Sequence, residues 1–192
     1  MTDVLAVAGS ARRGGNSDAV LEAALEALRE RGASVETIYP RRLNVTPCFA
    51  CNGCWETGAC VVKNDDMQDL YPRFEAADHV VAASPLYFTS LPGHFKMLID
   101  RFQPYWVRTY RLGKPPQPHR RGMFLCVGAM DKELYYNCTL RIVRTWMSCL
   151  NVGCTVTRFY GGVDARDDLV EKHPQYLEDA RQAAVELLES DG

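Results

Sequence analysis

Three stretches of this chain hold residues whose types and spacing could do chemistry. The first is Gly9-Ser10-Ala11-Arg12-Arg13-Gly14-Gly15-Asn16-Ser17. Its glycines let a backbone approach a ligand closely. Ser10, Asn16 and Ser17 offer short polar side chains, and Arg12 offers a charged fork. A helix beginning at Ser17 would aim its free N–H groups and its positive end at the same spot, which suits a phosphate. An ordinary strand-to-helix turn with a surface arginine pair would read the same way. The stretch is neither G-x-G-x-x-G nor G-x-x-x-x-G-K-[ST], which sets dinucleotide and ATP readings behind. The second stretch is Cys48-x-x-Cys51-x-x-Cys54, closed by Cys60. Cysteines at three-residue steps can wrap one iron–sulfur cubane from a single short loop, and the fourth can complete it. Structural zinc more often uses two separated pairs; free thiols or a disulfide are the plainer alternative. The third is Ser84-Pro85-Leu86-Tyr87-Phe88. At the end of a buried strand it would offer flat apolar surface and backbone donors, as a flavin ring needs; equally, the aromatics could pack on the next helix.

Those stretches need elements to position them, and the apolar pattern supplies them. Residues 3–8 read as a strand that is apolar throughout, as for one covered on both faces. Residues 17–31 read as a helix, with Val20, Leu21, Ala24, Leu25 and Leu28 on one face and Gly32 as its stop. Residues 33–39 alternate, as in a strand nearer a sheet edge. After a long loop, Asp65-Asp66-Met67 looks like a helix cap, and Pro72 predicts a break and a restart running to Ala77. Strands follow at 79–84, 123–127 and 154–160. Helices are expected from Pro92, over 134–150 with Ile142 facing inward, and over 174–188. Strict alternation of this kind predicts an α/β, flavodoxin-like three-layer sandwich with a five-stranded parallel sheet of order 2-1-3-4-5. In such sheets ligands bind beyond the carboxyl ends of the strands, where the winding reverses. Loops 9–17, 84–91 and 128–132 then lie side by side, as a mononucleotide requires.

Composition bounds the reading. A chain of 192 residues, 47% apolar and 24% charged, suits one domain over 1–192, with a cysteine-rich loop at 47–64 inserted after the second strand. A net charge of −2 gives no general attraction to nucleic acid or lipid head groups. No apolar run would span a bilayer and the first residues lack a signal-peptide pattern, so the expectation is a cytoplasmic protein. Eight cysteines there point to metal or redox chemistry more than to structural disulfides. Cys126, Cys138, Cys149 and Cys154 fall in apolar patterns and read as small buried hydrophobes. The basic segment Arg108 to Arg121 reads as a solvated arm, an oligomer contact or a landing site for an anionic partner, with the oligomer contact favoured.

Taken in order, Gly9-Ser10-x-Arg12-x-x-x-Asn16-Ser17, Asp65-Asp66-Met67, Ala77-Asp78, Ser84-Pro85-x-Tyr87 and Lys96-x-x-x-Asp100-Arg101 resemble the NADPH-dependent FMN reductase family, and most of all its branch of iron–sulfur flavoproteins. The resemblance implies that Ser10, Arg12, Asn16 and Ser17 hold the FMN phosphate and that Pro85, Leu86, Tyr87 and Phe88 embrace the isoalloxazine, with Gly128 flanking it. It implies a [4Fe–4S] cluster on Cys48, Cys51, Cys54 and Cys60, NAD(P)H or a ferredoxin-like protein as electron donor, and a homodimer or homotetramer. No protein acid or base is then needed, since the flavin carries the chemistry. Asp100-Arg101 reads as a structural ion pair or a subunit contact. Two other functions fit the same residues: a cluster-free NAD(P)H-dependent flavin or quinone reductase, and a non-enzymatic flavin-binding sensor whose thiols toggle a surface.

Overall fold

The computed structural model describes residues 2–189. Five parallel strands form one sheet in the order β2-β1-β3-β4-β5: β1 Asp3–Ala8, β2 Ser34–Ile38, β3 His79–Pro85, β4 Arg120–Val127 and β5 Val152–Tyr160. The expected topology is the observed one. Alternate residues of the central strands feed two separate cores. Leu5, Val7, Val80, Ala82, Phe124 and Cys126 face one side; Val4, Ala6, Ala8, Val81, Ala83, Met123 and Leu125 face the other. That is why the middles of these strands, residues 4–8, 80–83 and 123–127, are apolar at every position. β2 alternates exposed and half-buried residues, as an edge strand with one neighbour should.

Helices α1 (Asn16–Glu30) and α7 (Gln175–Glu189) cover one face. Helices α2 (Met67–Ala76), α3 (Gly93–Asp100) and α5 (Asn137–Cys149) cover the other, joined by an aromatic cluster. Phe74 meets Phe102 edge-on with centroids 4.9 Å apart, and Phe95 meets Trp146 at 5.8 Å. Short helices α4 (Gln103–Trp106) and α6 (Asp168–Lys172) were not expected from the pattern, being too brief to show a period.

Several expectations are corrected. Pro72 does not break α2, which runs through it. One backbone hydrogen bond is lost, but Met67, Leu70 and Phe74 are buried along the helix and hold it. β4 starts at Arg120 rather than Met123 because Arg120 is buried as a capping group. Its guanidinium donates to the carbonyls of Phe74 (2.6 Å) in the last turn of α2, of Ala77 (2.8 Å) just after it and of Leu150 (2.7 Å) after α5. Ile142 is only half-buried, and Cys138 is exposed at the start of α5. Among the described residues no helix is long and apolar enough to cross a membrane.

Candidate functional site

The loop after β1 turns on Gly9, whose N–H donates to Ala83 O at 2.8 Å. A Cβ there would clash with the Phe95 ring and sit 2.9 Å from Ala83 O, so only glycine lets β1 exit beside β3. Ser10 is buried and its hydroxyl accepts from Arg12 N (3.1 Å), curling the loop back. Gly15 precedes α1 in an extended conformation with no side-chain cap. Uncapped first-turn N–H groups are thus aimed out of the helix start. Arg12 is exposed and forms no ion pair among the described residues.

This loop meets two others in a cleft of about 170 Å³ at the carboxyl ends of β1, β3 and β4. Ser10, Arg12, Asn16, Ser17, Pro85, Leu86, Tyr87 and Gly128 all line it, together with Val127, Ala129, Val163 and Asp164. Eight of the nine side chains or backbones expected at a mononucleotide site are therefore brought together. Phe88 is not: it is fully exposed and absent from the lining. The cause is local. Tyr87 and Ser90 exchange two backbone hydrogen bonds of 2.9 Å, forming a tight turn whose tip residues have positive φ, Phe88 at 48° and Thr89 at 56°. That geometry favours Asn-Gly, and a β-branched Thr in it is strained. Thr139 of α5 holds the turn by donating to Thr89 O at 3.1 Å.

Asn16 lines the cleft, but its amide is already engaged. Nδ2 donates to Ala165 O at 2.7 Å, and Oδ1 accepts from Leu169 N at 3.4 Å. It therefore fastens the loop after β5 to the start of α1. Asp168 completes that fastening. Its carboxylate accepts from Ala165 N (2.8 Å) and Asp164 N (3.1 Å) and pairs with Lys172 at 2.6 Å. The Lys172 bond, then those N–H groups, hold Asp168 down to about 2. Arg41 plays a similar part from beyond β2: it donates to Ser10 O (3.2 Å) and pairs with Asp18 (3.2 Å). Sequence reasoning missed Arg41, Val163, Asp164 and Asp168. An arginine just past a strand end, next to a candidate phosphate loop, was the one available signal.

The cysteine loop forms a second cavity, of about 220 Å³. Cys48, Cys51, Cys54 and Cys60 all line it, with Trp55, Val61, Arg101, Gln103 and Pro104. Left-handed backbone at Ala50 (φ 52°) and Asn52 (φ 60°) winds the chain tightly on both sides of Cys51. Gly53 packs against Val61, where a Cβ would stand 2.6 Å from Cγ1. Among the described residues no three His, Cys, Asp or Glu side chains converge on a point that would hold a single ion. Burial pushes the Cys54 thiol up, and the neighbouring cysteines add to that. The basic segment is the loop's outer clamp rather than a free arm. Arg108 donates to Gly58 O (2.6 Å) and pairs with Glu75 (2.7 Å), Lys114 donates to Thr57 O (2.9 Å), and Arg111 lies 4.2 Å over the Trp55 ring.

Asp65 and Arg101 close the loop's base. Arg101 does not pair with its neighbour Asp100, which takes Lys96 at 2.6 Å; it forms a buried ion pair with Asp65. Nor does the Asp65-Asp66 pair act as a simple helix cap. Asp65 accepts from Thr46 N (2.9 Å) and Met67 N (3.2 Å), and Asp66 accepts from Asn44 N (2.7 Å), so both carboxylates tie the loop's entry to its exit. Burial works to raise the Asp65 carboxyl, but these bonds and Arg101 outweigh it and hold it low.

Known proteins share parts of this sequence and this fold. The curated iron–sulfur flavoprotein of Methanosarcina thermophila is 37% identical over 98 residues, which is 51% of each chain. The chain spans about half the length of the curated relatives it matches. A solved NAD(P)H:quinone oxidoreductase from Methanothermobacter marburgensis superposes with a TM-score of 0.70 at 21% identity, covering 95% of both chains. An FMN-dependent NADH-azoreductase from Bacillus anthracis, solved with FMN, gives 0.68 at 15% identity, covering 97% of this chain and 99% of its own. At those identities the likeness is one of fold. The family model for NADPH-dependent FMN reductases matches residues 2–157, most of the sheet and both candidate loops, and the chain belongs to that family.

Proposed function

We propose that this protein is an FMN-dependent oxidoreductase that accepts electrons from NAD(P)H or a ferredoxin-type donor and passes them on through bound FMN. The observation that carries this reading is the convergence of the three loops on one cleft at the point where the sheet's winding reverses. The residues present fit the group. The uncapped start of α1, the unpaired Arg12 and the Ser10 and Ser17 hydroxyls would hold the phosphate, with the Asn16 side chain steadying the wall. Leu86 and the half-exposed Tyr87 supply apolar surface for the ring, beside Gly128. Bound FMN would supply both hydride and single-electron chemistry. The protein's own part is to bind, orient and shield it.

The cysteine cavity supports a [4Fe–4S] cluster as a second centre. A mononuclear zinc ion draws four ligands to about 2.3 Å, whereas a cubane spaces its thiolates around a larger body. Cys48, Cys51, Cys54 and Cys60 all line one cavity, a donor set that suits the latter. The exposed Phe88 and the exposed Trp106 and Tyr110 support self-association as a dimer or tetramer. The test is an absorption spectrum and iron analysis of anaerobically purified protein. Flavin bands with broad longer-wavelength absorbance and about four irons per chain are expected. Flavin without iron, with the cysteines intact, leaves a cluster-free NAD(P)H-dependent reductase. Absence of flavin overturns the reading.

A further inference from the structure

The cysteine loop has almost no regular structure, yet its two ends are drawn together by Asp65, Asp66 and Arg101, and the last has no part in the function proposed above. Arg101 follows α3 and is 1% exposed. Its Nη1 donates to Thr46 O at 2.7 Å, just before the loop's first cysteine, and to Asp65 beyond its last. Asp65 in turn accepts from Thr46 N, so both backbone groups of Thr46 are taken by this pair. Nη2 reaches Cys60 Sγ at 3.5 Å. Tyr71 donates to Arg101 O at 2.7 Å and fixes the residue from behind. Nε is buried with no acceptor among the described residues, while Arg101 itself lines the cavity. A cation in this position has more donors than its protein partners use.

We propose that Arg101 is the positioning residue of the four-cysteine cavity: it closes the loop by bridging Thr46 and Asp65, and its hydrogen bond to Cys60 favours added negative charge on whatever one-electron centre the thiols hold. A purely structural ion pair would close the loop without the second effect. Hydrogen bonds to cluster sulfurs raise the reduction potential because they stabilise the more negative, reduced state. Only that arm rests on reading the cavity as a metal centre; loop closure does not.

The experiment uses the full chain loaded with FMN and reconstituted anaerobically with ferrous iron and sulfide. The variant D65N/R101Q removes both members of the pair, so no unpaired charge is left buried. It also leaves the net charge unchanged, so a shift in potential does not come from a change in overall charge. Iron release to a chelator and protease cleavage within residues 47–64 are each expected to rise at least tenfold, the midpoint potential to become more negative, and FMN affinity to stay within twofold. R101K keeps the charge but loses the fork; it should show the same direction of potential shift with slower cleavage than the double variant, and it decides the matter if the double variant does not retain FMN. Release, cleavage and potential equal to wild type would overturn the proposal. If the wild-type protein takes up no iron, the metal reading falls, and Arg101 stands or falls on cleavage alone: tenfold faster supports it, unchanged overturns it.

Discussion

The cleft at the carboxyl edge of the sheet and the cysteine cavity are built by different means. The cleft takes its walls from strand ends and the start of α1, and its key contacts are backbone: Gly9 to Ala83, Gly128 to Tyr160, the exposed first turn of α1. The cavity takes its shape from a loop that would not hold itself together. Arg101, Arg108, Arg111, Lys114, Asp65 and Asp66 impose that shape from outside. A site anchored on strand ends shares in the hydrogen bonding of the sheet. A site made of clamped loop can be lost without loss of the fold. The two should therefore fail independently.

The sharpest way to break this comparison is Cys54→Ser. It should abolish stable iron uptake while leaving FMN binding within twofold, read by iron analysis and flavin fluorescence; joint loss of both would show that the sites are one unit. Gly9→Ala strikes the other side. A methyl group pressed against Phe95 and Ala83 O should cost about 1–3 kcal/mol of stability, seen as a fall in Tm, with FMN affinity falling too and the cysteine loop unaffected. Arg12→Ala should leave Tm alone and weaken FMN binding by about 1.5–3 kcal/mol, roughly 10- to 150-fold in Kd; unchanged retention would remove the phosphate assignment. A smaller effect is expected with acid. The Asp168 carboxyl sits at about 2, below its ordinary value of 3.8, so its contribution is complete above about pH 4 and fades as pH falls toward 2. Below pH 4 the 161–169 loop should loosen from Asn16, measured by faster amide exchange there, and Asp168→Asn should flatten that dependence.

The same contrast explains what could be read from the chain beforehand. The sheet, its order and the three converging loops are written in local patterns: apolar runs buried on both faces, a glycine-rich turn, an amphipathic helix. They were legible because each depends on residues close in sequence. The clamp around the cysteines was not. Arg101 lies 36 positions from Asp65 and 55 from Thr46, and Arg108 lies 50 from Gly58. A basic run viewed alone reads as a solvated arm, a landing site for an anion or, as favoured above, an oligomer contact; only folding places Arg108 and Lys114 on carbonyls of the cysteine loop. Phe88 fails for a related reason. Its neighbour Tyr87 does line the cleft, but two positive φ values turn the next side chain outward, and no residue type there announces them. Asn16 was found for its donors, and the structure uses those donors on the protein itself.

The turn at 87–90 has a consequence for anyone who would engineer this protein. Two residues with ordinary side chains occupy a backbone shape that Asn and Gly take without strain. Replacing Phe88 and Thr89 by Asn-Gly relieves that left-handed strain and should therefore yield a tougher molecule, by about 1 kcal/mol, at the expense of an aromatic ring displayed to solvent. A melting curve set against a size-exclusion profile of the Asn-Gly variant separates the two effects: the first reads the relieved strain, the second any part that the exposed ring has in self-association.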